Sequence, residues 1–134
     1  MRAIATWKHA HQYDAESHSG HHVVLDADAA HVAGPTPMEL VLMALCSCTA
    51  VDVVSILHKK REALTSLTVS AVAEQAPAPP RVFTHIHLAY HLGGKVSPKA
   101  AEDAVALSKN KYCSVSKMLE KAVAIDYEIT YEGA

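Results

Sequence analysis

Residues 40–57 form the segment that most constrains the fold, an almost uninterrupted aliphatic run of Leu, Val, Met, Ala and Ile holding Cys46, Cys48 and a single charge, Asp52. Helix-start signals stack just before it. Thr36 is suited to the N-cap, Pro37 to the first helical position, and Glu39, three residues after Thr36, completes a capping box. His58, Lys59, Lys60 and Arg61 close the run with cations suited to the negative end of a helix dipole. The sequence therefore predicts a long helix with apolar residues on every face. Such a helix either crosses a membrane or is covered by protein all round. Asp52 and the hydroxyls of Ser47, Thr49 and Ser55, with strand-like runs on both sides, argue against a membrane span. A chain of 134 residues has little material to surround a helix, so a second copy is the expected cover.

The remaining elements follow from periodicity and punctuation. Residues 2–7, 12–17 and 21–25 alternate like strands of an antiparallel sheet. Residues 67–74 and 82–92 alternate again around a loop containing Pro77, Pro79 and Pro80, and Gly93-Gly94 is expected to end the second strand. Ser97 as N-cap and Pro98 at the first position predict another helix, with Ala100, Ala101, Ala104, Val105 and Leu107 on one face. Lys109-Asn110-Lys111-Tyr112 interrupts that pattern, a short helix is expected over 114–121, and 123–131 reads as a strand with one wet face. The order is α+β in one domain, 1–134.

Charge and cysteine content narrow the function classes. Net charge is −2 and the basic residues are scattered, so no field suited to a phosphate backbone is present and nucleic acid is not an expected partner. An odd number of cysteines, three, argues against a disulfide framework and for a reducing cytoplasm. The first seven residues lack a charged segment followed by a long apolar run, and no secretory signal is expected.

Cys46 and Cys48 point roughly 200° apart around a helix and cannot bond to each other there. Their spacing is neither a redox C-x-x-C nor a zinc knuckle, and small core residues are the plain reading. Cys113 stands at the start of a short helix, where free N–H groups favour a thiolate, with Lys109, Lys111 and Lys117 nearby in sequence. Ten histidines suggest a test for metal. His85, His87 and His91 share one strand face, yet a solvated surface that gains charge near pH 6.5 is the favoured reading. Asp52, four residues after Cys48, reads as a buried polar anchor or a partner to another chain rather than a base, since its charge would oppose a thiolate.

The run 37–54, with Pro37, Met38, Glu39, Cys46, Cys48 and Asp52, is followed by Arg81-Val82-Phe83-Thr84-His85-Ile86 and then by Lys111-Tyr112-Cys113-Ser114-Val115-Ser116-Lys117-Met118-Leu119. Together these segments resemble the OsmC/Ohr family, most closely its OsmC-like branch. The resemblance implies an intertwined homodimer, with antiparallel sheets wrapped around long central helices. It also implies a thiol peroxidase reducing organic hydroperoxides at the subunit interface, with Cys48 as the peroxidatic and Cys113 as the resolving residue, no cofactor, and an unidentified external dithiol as reductant. In that family's peroxidases a Glu follows the helix-start Pro and pairs with an Arg from the N-terminal loop. Here Met38 fills that place and Glu39 comes next, turned about 100° around the axis. Glu39 is thus a candidate catalytic carboxylate as well as a cap, on the face of Cys46. Ser17-His18-Ser19-Gly20 fills the loop where the Arg would be, leaving Arg81, His18 or His21 as substitutes. Two other classes stay open: an OsmC-fold protein that binds a small hydrophobic ligand with little turnover, and a histidine-rich metal binder.

Overall fold

The computed structural model describes residues 1–133, so the last residue of the expected 1–134 domain lies outside it. It divides into two compact units, 1–43 and the described residues from 44 onward, with the boundary inside the long helix.

In the first unit, β1 (Ala3–His9), β2 (Gln12–Ser17) and β3 (His22–Asp26) form an antiparallel sheet in that order, as the alternation predicts. Asp26 ends the sheet and organises the next loop. Its carboxylate accepts the backbone N–H groups of Asp28 at 2.9 Å and Ala33 at 3.1 Å, and these bonds hold it below the usual carboxylate range. Gly34 closes the same loop because a Cβ there would stand 2.1 Å from the Val24 carbonyl oxygen, a separation no side chain tolerates. The loop delivers Thr36, and α1 (Pro37–Lys59) begins there.

The second unit packs around one row of α1. Leu45, Thr49, Val53 and Leu57, four residues apart, are buried, as the helical period requires of a single face. Opposite stand β4 (Ala63–Gln75) and β5 (Phe83–Lys95), antiparallel, and β6 (Ala124–Tyr131). On β5 the residues Ile86, Leu88, Tyr90 and Leu92 are almost wholly buried. Each fully buried aliphatic side chain of this kind contributes about 1.5–3 kcal/mol. Tyr127 of β6 meets the Tyr90 ring edge-on, with centroids 6.0 Å apart. Ala100, Ala101, Ala104 and Val105 of α2 (Pro98–Leu107) complete the core, and the helix starts on Ser97, whose hydroxyl accepts the Ala100 N–H at 3.1 Å.

Two expectations are corrected. β6 runs parallel to β5, from His85 beside Ala124 to Leu92 beside Tyr131, so this sheet is mixed rather than antiparallel. The chain returns through α2, a π-helical turn at Ser108–Tyr112 and α3 (Ser114–Leu119), a crossover long enough to permit parallel pairing. Nor does Gly93-Gly94 end β5. The strand runs on to Lys95, with Gly94 at φ +95° beside an irregularity in β4 between Leu64 and Ser66. A Cβ on Gly94 would lie 2.1 Å from the Ala63 carbonyl oxygen.

The outer face of α1 is not covered within the second unit. Val51 is 68% exposed and lines an apolar groove of about 820 Å³ with Ala50, Val54, Leu64 and Leu67.

Candidate active site

α1 carries Cys46 and Cys48, both half-buried, on opposite flanks of its buried row; Cys113 is fully buried between the π-helical turn and α3. No disulfide links them; all three thiols are free. The fold brings Cys48 close enough to Cys113 to act on its thiol. This juxtaposition joins two residues 65 positions apart in sequence.

Cys113 is held from several directions. It is the N-cap of α3, and its sulfur accepts the Ser116 N–H at 3.4 Å. Its own N–H donates to the Ser108 carbonyl at 2.7 Å, and its carbonyl accepts the Lys117 N–H at 3.0 Å. The helix N-terminus does favour a thiolate, as expected from sequence, but burial outweighs it. The Cys113 thiol lies above its ordinary range, chiefly through desolvation, with the neighbouring Cys48 adding to the rise and Ser116 opposing it. The expected lysine field is spent elsewhere: Lys117 pairs with Glu120 at 2.7 Å, and Lys111 lies over the Tyr112 ring. Cys46 is also pushed up by burial.

Beside the thiols runs a buried chain of hydroxyls that sequence reasoning missed. Tyr90 Oη and Thr49 Oγ1 are 2.7 Å apart, and Thr49 Oγ1 and Ser108 Oγ 2.8 Å. Ser108 Oγ donates to Asp52 Oδ2 at 2.8 Å. Asp52 is thus a polar anchor inside its own chain. The donor order follows from that end: Ser108 has spent its proton, so it accepts from Thr49, which accepts from Tyr90. Burial pushes the Tyr90 phenol up to about 12, and it feels both Cys113 and Cys46. The sequence signals for this chain were Asp52, read as a polar anchor, and small hydroxyl residues at helix positions, which helical propensity alone leaves without a reason.

Glu39 and Arg81 sit differently. The Glu39 carboxylate accepts the Thr36 N–H at 3.0 Å while the Thr36 hydroxyl accepts the Glu39 N–H at 3.3 Å, a complete capping box. The Thr36 N–H holds Glu39 below its ordinary value. Arg81 is exposed in the proline loop, where its Nε donates to the Ala76 carbonyl at 3.4 Å. His18 is exposed in the turn after β2, and His21 Nδ1 lies 3.0 Å from Ser19 Oγ.

His85 and His87 share one carboxylate. Asp126 of β6 takes His85 Nε2 at 2.8 Å and His87 Nδ1 at 2.5 Å, and His87 Nε2 reaches Glu128 at 3.3 Å. His91 Nδ1 instead meets Thr130 Oγ1 at 2.8 Å. Among the described residues no group of three or more His, Cys, Asp or Glu side chains is arranged to hold a metal ion.

Comparison with known proteins agrees with this architecture. Residues 27–128 match the family model described as OsmC-like protein. The chain is 43% identical over 132 residues to Protein YhfA of Escherichia coli strain K12, covering 96% of this chain and 98% of that protein. A hypothetical protein from Aquifex aeolicus VF5 superposes with a TM-score of 0.84 at 29% identity, over 98% of this chain and 96% of the other. An organic hydroperoxide resistance protein OsmC from Legionella pneumophila shares the fold, with a TM-score of 0.73 at 17% identity over 97% of each chain. The chain belongs to the OsmC-like protein family.

Proposed function

We propose that the protein is a thiol-dependent peroxidase that reduces organic hydroperoxides, working as a homodimer in the reducing cytoplasm. The observation that carries this reading is the proximity of Cys48 to Cys113. The Cys48 thiolate attacks the outer peroxide oxygen, the O–O bond breaks, and the products are a Cys48 sulfenic acid and an alkoxide that picks up a proton. Cys113 then attacks the sulfenic sulfur; a disulfide forms and hydroxide leaves as water with the Cys113 proton. An external dithiol restores both thiols by exchange and is itself oxidised to a disulfide. Burial pushes the Cys113 and Cys46 thiols up, which disfavours either as the attacking thiolate. Glu39 enters this reading as a helix cap and Arg81 as a loop brace, with the chemistry on the two sulfurs. The aliphatic surroundings of α1 favour an apolar peroxide. The uncovered Val51 face is where a second copy would pack.

A coupled assay with cumene hydroperoxide and dithiothreitol tests the proposal. Peroxide-dependent oxidation of the dithiol is expected in the wild type and is lost in Cys48→Ser. In Cys113→Ser, turnover falls and a sulfenic acid is trapped by dimedone. Absence of turnover in the wild type, as a ligand-binding protein would give, or unchanged turnover in Cys48→Ser, contradicts it.

A further inference from the structure

Ser108 joins the two thiol-bearing segments. Its side chain is tied to α1 on both sides, accepting from Thr49, the residue after Cys48, and donating to Asp52, one turn further on. Its carbonyl accepts the Cys113 N–H at 2.7 Å. Ser108 is fully buried and opens the π-helical turn that leads to Cys113. Such turns interrupt regular helix at a cost and recur where a side chain must be placed. A further bond supports the same turn: Ser116 Oγ reaches the Cys113 carbonyl at 3.3 Å. Resting on the peroxidase reading above, we infer that Ser108, anchored by Asp52, is a positioning residue that sets Cys113 in register with Cys48 for disulfide closure.

Ser108 acts on the second chemical step alone. Closure is an intramolecular attack whose rate depends on how well the two sulfurs are aligned, and a misplacement of about 1 Å costs on the order of 100-fold. Disulfide geometry is equally demanding of the two Cα positions. Attack of Cys48 on peroxide needs neither Ser108 nor the π-helical turn.

The test separates the steps. Ser108→Ala is treated with one equivalent of cumene hydroperoxide; sulfenic acid is measured with dimedone, and closure by loss of free thiols. Sulfenic acid is expected at the wild-type rate, with closure slowed roughly tenfold or more. A merely structural role would slow both. Because Ser108→Ala can disturb folding, Asp52→Ala and Asp52→Asn serve as the second pair: closure slows in the alanine variant, and the asparagine, which keeps an acceptor for Ser108, restores it. Closure is also followed in a glutathione/glutathione disulfide buffer, which needs no peroxide. There the yield of Cys48–Cys113 disulfide is expected to fall in Ser108→Ala and Asp52→Ala even if the wild type proves inert to peroxide, which would overturn the peroxidase reading alone. Wild-type closure in Ser108→Ala, or in Asp52→Ala if the serine variant does not fold, overturns the positioning role.

Discussion

At the scale of single residues, Cys113 shows why a favourable local position does not by itself make a reactive thiol. The sequence places it at a helix N-terminus among lysines. Yet α3 has six residues and only one N–H, from Ser116, reaches the sulfur, while the side chain is removed from water altogether. Desolvation of an anion outweighs one backbone donor. Alkylation of Cys113 with iodoacetamide, in a chain carrying Cys46→Ser and Cys48→Ala, is therefore expected to show a pH midpoint above the ordinary cysteine value near 8.5; a midpoint below it contradicts the burial argument. Glu39 teaches the complementary lesson. Its capping role was legible from the Thr36 spacing alone, because a capping box is a local device. Thr36→Ala is expected to lower stability by about 1 kcal/mol in urea unfolding. The Asp52–Ser108–Thr49–Tyr90 chain was not legible, since it joins residues up to 59 apart in sequence that no local rule connects.

Among the elements, the starts of α1 and α2 were readable because Pro37, Ser97 and Pro98 act over one turn. The parallel pairing of β6 was missed although the order of strand, helices and strand from 83 to 131 carries its signal: a long crossover, not a hairpin, joins β5 to β6. That pairing explains three of the ten histidines, because it brings the side chains of His85 and His87 to Asp126, His87 also to Glu128, and His91 to Thr130. His87 is raised above its ordinary value, first by its hydrogen bond to Asp126 and then by Glu128, and Asp126 is lowered by His87 and His85. The His87 contribution to stability is present below its unfolded value near 6.5 and is lost as pH rises through the raised value; the Asp126 contribution is present above about 3.9 and is lost as pH falls. The strand pair is thus best held between about pH 4 and 6.5. NMR titration of His87 should give a midpoint above 6.5, returning toward it in Asp126→Asn; an unchanged midpoint contradicts the assignment. At the far end of β5, Gly94→Ala should cost about 1–3 kcal/mol by urea unfolding, since an alanine would be strained at φ +95° as well as pressed against Ala63.

For the whole molecule, the aliphatic run that leads the sequence is only partly satisfied by its own chain. One row of α1 is buried, while Val51 stands in an apolar groove facing away from the core. Light scattering on a sizing column is expected to report a dimer for the wild type and a shift to monomer for Val51→Lys; a monomeric wild type contradicts the homodimer proposal. The family was legible in the sequence because its marks lie in long local runs. The placement of the thiol pair depends on how those runs fold onto one another. The most direct test of the account is to oxidise the wild type with one equivalent of cumene hydroperoxide and map its disulfides by mass spectrometry without reduction. A Cys48–Cys113 linkage within one chain is predicted. A Cys46–Cys113 linkage, or peroxide consumption with both Cys48 and Cys113 still free, would contradict it.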